Sequence, residues 1–310
     1  MRALVRTCAL GELAAHCVAL NLTAPPLAAP PVPSTSALTP RRELWLLLTL
    51  AGIQFTHILD FMIMMPLGPQ FTRLFGISDA QFGLLVSAYT LAAGAAGFAS
   101  AFFIDRYDRR RLLLWLMAGF LLATLACGLA PTYETLMSAR IAAGLFGGIL
   151  SAMIQTIVAD VVPFARRGKA MGVIMTSFSV STVMGVPLGL YVAANSDWHT
   201  PFFGIAGISF VLAVAGWYVI PTLQGHLHAR GETGPLQGIA QVLRDSNHLR
   251  AFLFSFCMIF AGFSIIPYIT IYMQINAGLT PSDIPVIYLA GGAATLFSAQ
   301  IIGKLSDRIG

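Results

Sequence analysis

From position 44 onward the chain alternates long apolar runs with short polar breaks. The runs cover approximately 44–67, 82–104, 112–129, 135–162, 170–194, 201–220, 249–275 and 284–302. A membrane-spanning helix needs ~20 mainly apolar residues, and all eight runs come near or exceed that. The fourth and seventh are long enough to tilt or to extend beyond the lipid. Lipid offers backbone groups no hydrogen-bond partners, so the spans must be helices or a closed barrel. Continuous apolar runs, rather than short alternating ones, select helices. The longest interior break, 222–248, separates six spans from the next two. Ahead of the first run, 1–22 is mixed and 23–40 is rich in Pro, Ala, Ser and Thr. Residues 1–40 are therefore expected to be disordered. Arg2 and Arg6 precede a mildly apolar stretch as in a signal peptide, but Glu12 and His16 interrupt it.

Composition agrees with the pattern. The chain is 57% hydrophobic and 10% charged, against ~25% charged in soluble domains. The net charge is +5 with 18 Lys and Arg, and their placement matters more than their sum. With an even number of spans between breaks, sixteen of these 18 fall on one side. They are Arg2, Arg6, Arg41, Arg42, Arg106, Arg109, Arg110, Arg111, Arg166, Arg167, Lys169, Arg230, Arg244, Arg250, Lys304 and Arg308. Arg73 alone lies on the other side, and Arg140 lies inside the fourth run. The asymmetry predicts a multi-pass protein of the inner (cell) membrane with a cytoplasmic N-terminus and the lipid bilayer as its surroundings. Bases confined to short loops form no basic face with interleaved aromatics, which excludes nucleic acid as a partner. Cys8, Cys17, Cys127 and Cys257 show neither metal spacing nor a paired framework.

An Asp-Arg pair closes the second run and recurs after the eighth. The first stands in Ala101-Phe-Phe-Ile-Asp105-Arg106-Tyr107-Asp108-Arg109-Arg110-Arg111, the second in Gly303-Lys304-Leu305-Ser306-Asp307-Arg308-Ile309-Gly310. On these residues the chain resembles the major facilitator superfamily, whose loop after the second span reads Gly-x-x-x-Asp-Arg-x-Gly-Arg-Arg. Asp105, Arg106, Arg109 and Arg110 match, while Ala101 and Asp108 replace the two glycines. Asp108 bears on a tight turn with φ > 0, which Asp tolerates better than most residues. Gly303, Asp307, Arg308 and Gly310 match the second copy. The resemblance implies an all-α membrane protein of two six-helix bundles. About eight spans are present, and the second bundle is cut short at Gly310. It divides the chain into a first bundle at 41–221, a cytoplasmic linker at 222–248 and the start of a second bundle at 249–310. It also implies that Asp105, Arg106, Arg109, Arg110, Gly303, Asp307 and Arg308 act as a conformational gate. A run of solvated loop charges is the competing account.

Three further features carry chemistry. Arg140 begins Arg140-Ile-Ala-Ala-Gly144-Leu-Phe-Gly147-Gly148 and resembles the family's fourth-span Arg-x-x-x-Gly, which is linked there to proton coupling. Either it is functional by virtue of its cost in the membrane, or it snorkels to the interface near Glu134. Gly144 and Gly148 form a small-x-x-x-small face for close helix approach. Gly185-Val186-Pro187-Leu188-Gly189 partly resembles the glycine-proline motif of the family's antiporters and predicts a bend, with Gly185 and Gly189 admitting a neighbour. In the first run, Asp60 is the one acid well inside any span, with His57 three residues earlier. A carboxylate is expensive to keep ionised at membrane depth, so Asp60 is expected to carry a proton, with His57 and Arg140 as coupling partners. A structural acid hydrogen-bonded to another helix is the alternative. The region resembles the family's drug/proton antiporters, where first-span acids couple protons or meet cationic substrates.

Gln54, Met64, Tyr89, Gln155, Tyr268 and Tyr272 are expected to line a substrate cavity, with Gln155 and Tyr268 the first candidates. Tyr268 follows Pro267, where a bend would open the backbone. His57-x-x-Asp60 is too short for a metal site. No phosphate loop, His-Glu-x-x-His or nucleophile-base set occurs, so neither a cofactor nor catalytic residues are expected. The expected function is secondary active export of small amphipathic or cationic molecules by alternating access in exchange for protons. A sugar or small-metabolite exporter is the nearest rival, followed distantly by an intramembrane enzyme or a non-transporting sensor.

Overall fold

Helix boundaries follow local chemistry closely. The computed structural model describes residues 39–223, 243–280 and 282–294. The first helix, α1 (Pro40–Ile63), starts with proline in its first turn, where a missing N–H costs nothing. After a turn, α2 (Gly68–Phe75) ends at Gly76 with φ 61°, a left-handed stop that suits glycine. A Ser78–Gln81 capping box opens α3 (Asp79–Ser100). A short 3-10 turn at Ile104–Arg106 leads to α4 (Arg109–Gly128), and a Thr132–Thr135 box opens α5 (Tyr133–Val161). Next come α6 (Phe164–Val180), a π-helical turn at Ser181–Gly185, α7 (Val186–Asn195) and α8 (Thr200–Val219). The later elements are α9 (Ser246–Ile265), a 3-10 turn at Ile266–Tyr268, α10 (Ile269–Asn276) and an apolar helix α11 (Ile284–Ala294).

Seven helical stretches among the described residues are long and apolar enough to cross a membrane. They are α1, α3, α4, α5, the joined α6–α7 (Arg166–Asn195), α8 and the joined α9–α10 (Ser246–Asn276). These match the first seven expected spans. The eighth is seen only as α11, because 295–310 lie outside the described residues, as do 1–38 and 224–242. Two details depart from the hydrophobic pattern. Helix α1 starts before the apolar run, because Arg41, Arg42 and Glu43 form its polar first turn. Helix α2 falls in what reads as a break, its apolar face set by Phe71 and capped by Gly76.

Large apolar side chains such as Leu91, Trp115, Leu122, Phe210 and Val211 face outward, as lipid-contacting positions must. Inside, two apolar clusters occupy opposite ends of the helices. One gathers Met64, Met65, Leu67, Phe71, Phe82, Trp198 and Phe202. The other gathers Leu46, Leu50, Ile53, Leu113, Met117, Phe120, Leu150 and Ile154. Phe61 packs against both, which places the middle of α1 where they meet.

Helices α3 and α5 approach until their backbones touch. A Cβ at Gly144 would stand 2.4 Å from the Tyr89 carbonyl oxygen, and one at Gly148 only 2.1 Å from that of Ala93. The expected small-residue face is therefore a real seam. On α7, Pro187 has no N–H to give, and the Val186 N–H reaches back to the Ser181 oxygen in a wider π turn. Gly185 and Gly189 lie against Leu59 and Ile63 of α1. Ser177 Oγ donates to the Ala51 oxygen at 2.7 Å, stitching α6 to α1.

Gly148→Ala is expected to lower stability in detergent by about 1–3 kcal/mol, because the clash is with backbone and cannot be relieved by a rotamer. Gly168→Ala on α6, where nothing lies within 4 Å, is expected to be neutral or slightly stabilising. Thermal unfolding of the two variants side by side measures the difference.

Candidate functional site

Arg140 projects from α5 into the bundle and is fully buried. Its Nη1 donates to Asp60 Oδ2 at 2.7 Å and to the Asp60 backbone oxygen at 3.2 Å. Both side chains are 0% exposed. Interfacial snorkelling is thus ruled out for Arg140 in this structure. The aromatic ring of Tyr89 lies under the guanidinium, 4.4 Å from ring centre to Cζ, a cation–π contact that gains strength where water is excluded. Tyr89 is itself held on three sides. Its hydroxyl donates to the His57 oxygen at 3.3 Å, its ring stacks on Phe61 at 5.4 Å, and its carbonyl abuts Gly144. A Cβ at Gly147 would stand 2.6 Å from that hydroxyl. The glycines of α5 therefore make room for the residue that supports Arg140.

The pair is incompletely satisfied. Asp60 Oδ1, Arg140 Nε and Arg140 Nη2 have no protein hydrogen-bond partner. Thr124 Oγ1 of α4 and His57 Nε2 are also buried and unpartnered, as is Gln54 Oε1 six residues before Asp60 on α1. Thr124 stands beside the Asp60 carboxyl, and Cys127 beside Arg140. These donors and acceptors lie where the two apolar clusters meet.

A second charged cluster lies at the basic end. Arg109, 2% exposed, donates from Nη2 to Asp105 Oδ1 at 2.7 Å, from Nε to Asp160 Oδ2 at 3.1 Å, and from Nη1 to the Ile104 oxygen at 2.8 Å. The loop after α3 is thereby clamped to the last turn of α5. Asp105 meets Arg109, whereas Arg106 is exposed. Asp108 needs no left-handed turn. It has φ −59° and caps α4 by accepting the Arg111 N–H at 2.9 Å, and no described non-glycine residue has positive φ. Arg110 lies over the Trp217 ring and donates to its carbonyl oxygen. Arg166 pairs with Glu43 at 3.1 Å, joining α6 to α1.

The expected site residues separate into groups. Asp60, Arg140, His57 and Tyr89 come together at the central pair, and Gln54 is buried earlier on α1. Asp105, Arg109 and Arg110 join the basic-end cluster. Gly185, Pro187 and Gly189 form the α7–α1 contact and its π turn. Met64 is 0% exposed inside the apolar cluster rather than on a cavity wall, because it falls in the turn that α2 and α3 cover. Gln155, Tyr268 and Tyr272 are exposed, with the Tyr268 hydroxyl against Gly83. Gly303, Asp307 and Arg308 lie outside the described residues. Asp160 and Thr124 are additions. Asp160 is the acid ending the fourth run, across from an arginine-rich loop, and that juxtaposition is the signal that marks it. Thr124 gives no signal in a run of apolar neighbours.

A family model described as Major Facilitator Superfamily matches residues 50–310. Among curated relatives, an uncharacterized MFS-type transporter, YceJ, of Bacillus subtilis (strain 168) is 26% identical over 270 residues, covering 86% of this chain and 67% of that one. A "Probable sugar efflux transporter" of Helicobacter pylori (strain HPAG1) is 25% identical over 240 residues, 76% of this chain and 60% of that one. Among solved structures, a bacterial homolog of the human lysosomal transporter Spinster, inward-facing and unoccupied, superposes with a TM-score of 0.70 at 18% identity. The match covers 87% of this chain and 64% of that one. For the first curated relatives, the chain spans between 33% and 67% of their length.

Removing one partner of the buried pair leaves the other charge uncompensated. Asp60→Asn and Arg140→Gln are each expected to destabilise by about 3–5 kcal/mol, and the double variant by less than their sum. Unfolding of all four proteins in the same detergent measures the coupling.

Proposed function

The chain belongs to the Major Facilitator Superfamily, and from that premise we propose that it forms part of a secondary transporter. On this reading, small amphipathic or cationic molecules are exported by alternating access in exchange for protons, as in the drug/proton antiporters. The supporting observation is the ion pair between Asp60 and Arg140, fully buried yet with unused hydrogen-bonding capacity. Proton arrival at Asp60 neutralises the carboxylate and weakens its hold on Arg140. The guanidinium then turns to a neighbouring acceptor such as Thr124, or to substrate. Proton release restores the pair. His57, one helical turn from Asp60, is the relay nearest to it.

Helix α5 links this event to the gate. Arg140 and Asp160 sit on the same helix, and their twenty-residue separation corresponds to ~30 Å of rigid rise. A tilt of α5 that follows loosening of the central pair would pull Asp160 from Arg109, releasing the loop that carries Asp105. The basic end would face the cytoplasm of the cell's inner membrane. Residues 41–221 would form the first six-helix bundle and 249–310 the start of the second, with the matched gate at Gly303, Asp307 and Arg308. Tyr89, Gln54, Gln155, Tyr268 and Tyr272 would contribute the substrate surface. An energy source other than an ion gradient finds no support, because the chain has no phosphate-binding loop.

A sugar exporter of the same fold is the second reading. It is favoured by the similarity to the probable sugar efflux transporter of Helicobacter pylori and by the unpartnered amide and hydroxyl groups of Gln54 and Thr124.

In proteoliposomes with an imposed pH gradient, Asp60→Asn is expected to abolish proton-driven export of a lipophilic cation. Full export by this variant would contradict the coupling role. Sugar export with no cation export would select the second reading. For the gate, Asp105→Asn is expected to change the ratio of inward- to outward-facing states in crosslinking at the basic end, and an unchanged ratio would refute the gate.

A further inference from the structure

Outside the central pair, a cleft of about 690 Å³ opens between α4 and α8 at the basic end. Its walls are apolar, formed by Leu114, Trp115, Ala118 and Trp217, and its rim carries Arg110 and Arg111. An adjoining cleft of about 410 Å³ shares Arg110 and adds Arg42, Trp45 and Tyr218. Among the described residues, no acid lines either one. Three of the chain's four tryptophans are here. Trp45, Trp115 and Trp217 are 54%, 76% and 59% exposed, and of the three rings Trp217 carries Arg110 over its face.

The layering of these residues is regular. Arg42 lies three residues before Trp45 on α1, and Arg111 four before Trp115 on α4. Each arginine is thus about one turn, ~5 Å, further out than its tryptophan. Arg110 is pinned between them, over the Trp217 ring and bonded to the Trp217 carbonyl oxygen. Cations sit at the outermost level, amphipathic rings one turn deeper and an apolar slot beneath. The same order of polarity runs through a phospholipid from phosphate to glycerol to acyl chain.

We propose that this double cleft is a binding site for an anionic phospholipid. Arg42 and Arg111 contact its phosphate, Trp45 and Trp115 flank its glycerol region, and an acyl chain lies in the apolar slot between α4 and α8. Arg110 fixes the slot's wall through Trp217 and supplies the third positive charge. A zwitterionic lipid offers the same tail but no net charge for the three arginines, which no described acid opposes, so the site discriminates by headgroup.

Native mass spectrometry of the protein in mild detergent, offered equal amounts of phosphatidylglycerol and phosphatidylcholine, tests this. Phosphatidylglycerol adducts are expected to exceed phosphatidylcholine adducts. The preference should fall roughly fivefold for each arginine removed in Arg42→Gln and Arg42→Gln/Arg111→Gln, which leave the Arg110–Trp217 contact in place. A second arm needs no variant. Brominated phosphatidylglycerol should quench tryptophan fluorescence of the reconstituted protein more than brominated phosphatidylcholine at the same fraction. Equal binding and equal quenching by the two lipids would overturn the proposal, as would competition by inorganic phosphate as effective as that of the lipid.

Discussion

The ion pair between Asp60 and Arg140 constrains everything around it. Two charges at membrane depth are tolerable only together, because an isolated carboxylate or guanidinium there would cost several kcal/mol. That requirement ties α5 to α1 at one height. It also places Tyr89 of α3 beneath the guanidinium at 4.4 Å, and it keeps Thr124 and Cys127 of α4 beside the charges. Four helices therefore converge on one electrostatic centre. The apolar clusters on either side isolate it from both ends of the bundle.

Close packing serves the same centre. Gly144, Gly147 and Gly148 let α3 lie against α5, and the side chain thus accommodated is Tyr89. The α7–α1 contact through Gly185 and Gly189 braces the stretch of α1 that carries Leu59 and Ile63, on either side of Asp60. At the far end of α5, Asp160 shares Arg109 with Asp105. One rigid helix therefore bears a member of both charged clusters, which gives the two a mechanical connection without a chain of intermediate contacts.

The spans and their helical nature are legible from hydropathy alone, because lipid leaves the backbone no alternative to helices, whereas the two-bundle fold is legible only through the repeated Asp-Arg motif. The charged residues were legible as unusual: Asp60 and Arg140 each interrupt an apolar run. Their pairing was not, because Asp60 and Arg140 lie on α1 and α5 and helical spacing gives no long-range register. Asp108 illustrates the opposite failure. Compared with a motif that has glycine, it reads as a defect in a turn. In the structure it is the N-cap of α4, a role fully encoded in its own side chain and the Arg111 N–H that follows. Methionine beside an acid suggests a cavity wall, whereas the structure buries Met64 in an apolar cluster ahead of the turn at Pro66 and Gly68. Asp160 was overlooked because an acid at a helix end is ordinary until the arginine facing it is known.

The central claim is that Asp60 takes up and releases a proton while exchanging its partnership with Arg140. Infrared difference spectroscopy of the reconstituted protein across a pH step reads this directly, through the C=O stretch of a protonated carboxyl group. The account predicts a band that appears with protonation, is missing in Asp60→Asn and is displaced in Arg140→Gln, where its neighbour is changed. A spectrum in which Asp60→Asn removes no band would contradict it, as it would mean that the carboxylate stays locked in its ion pair.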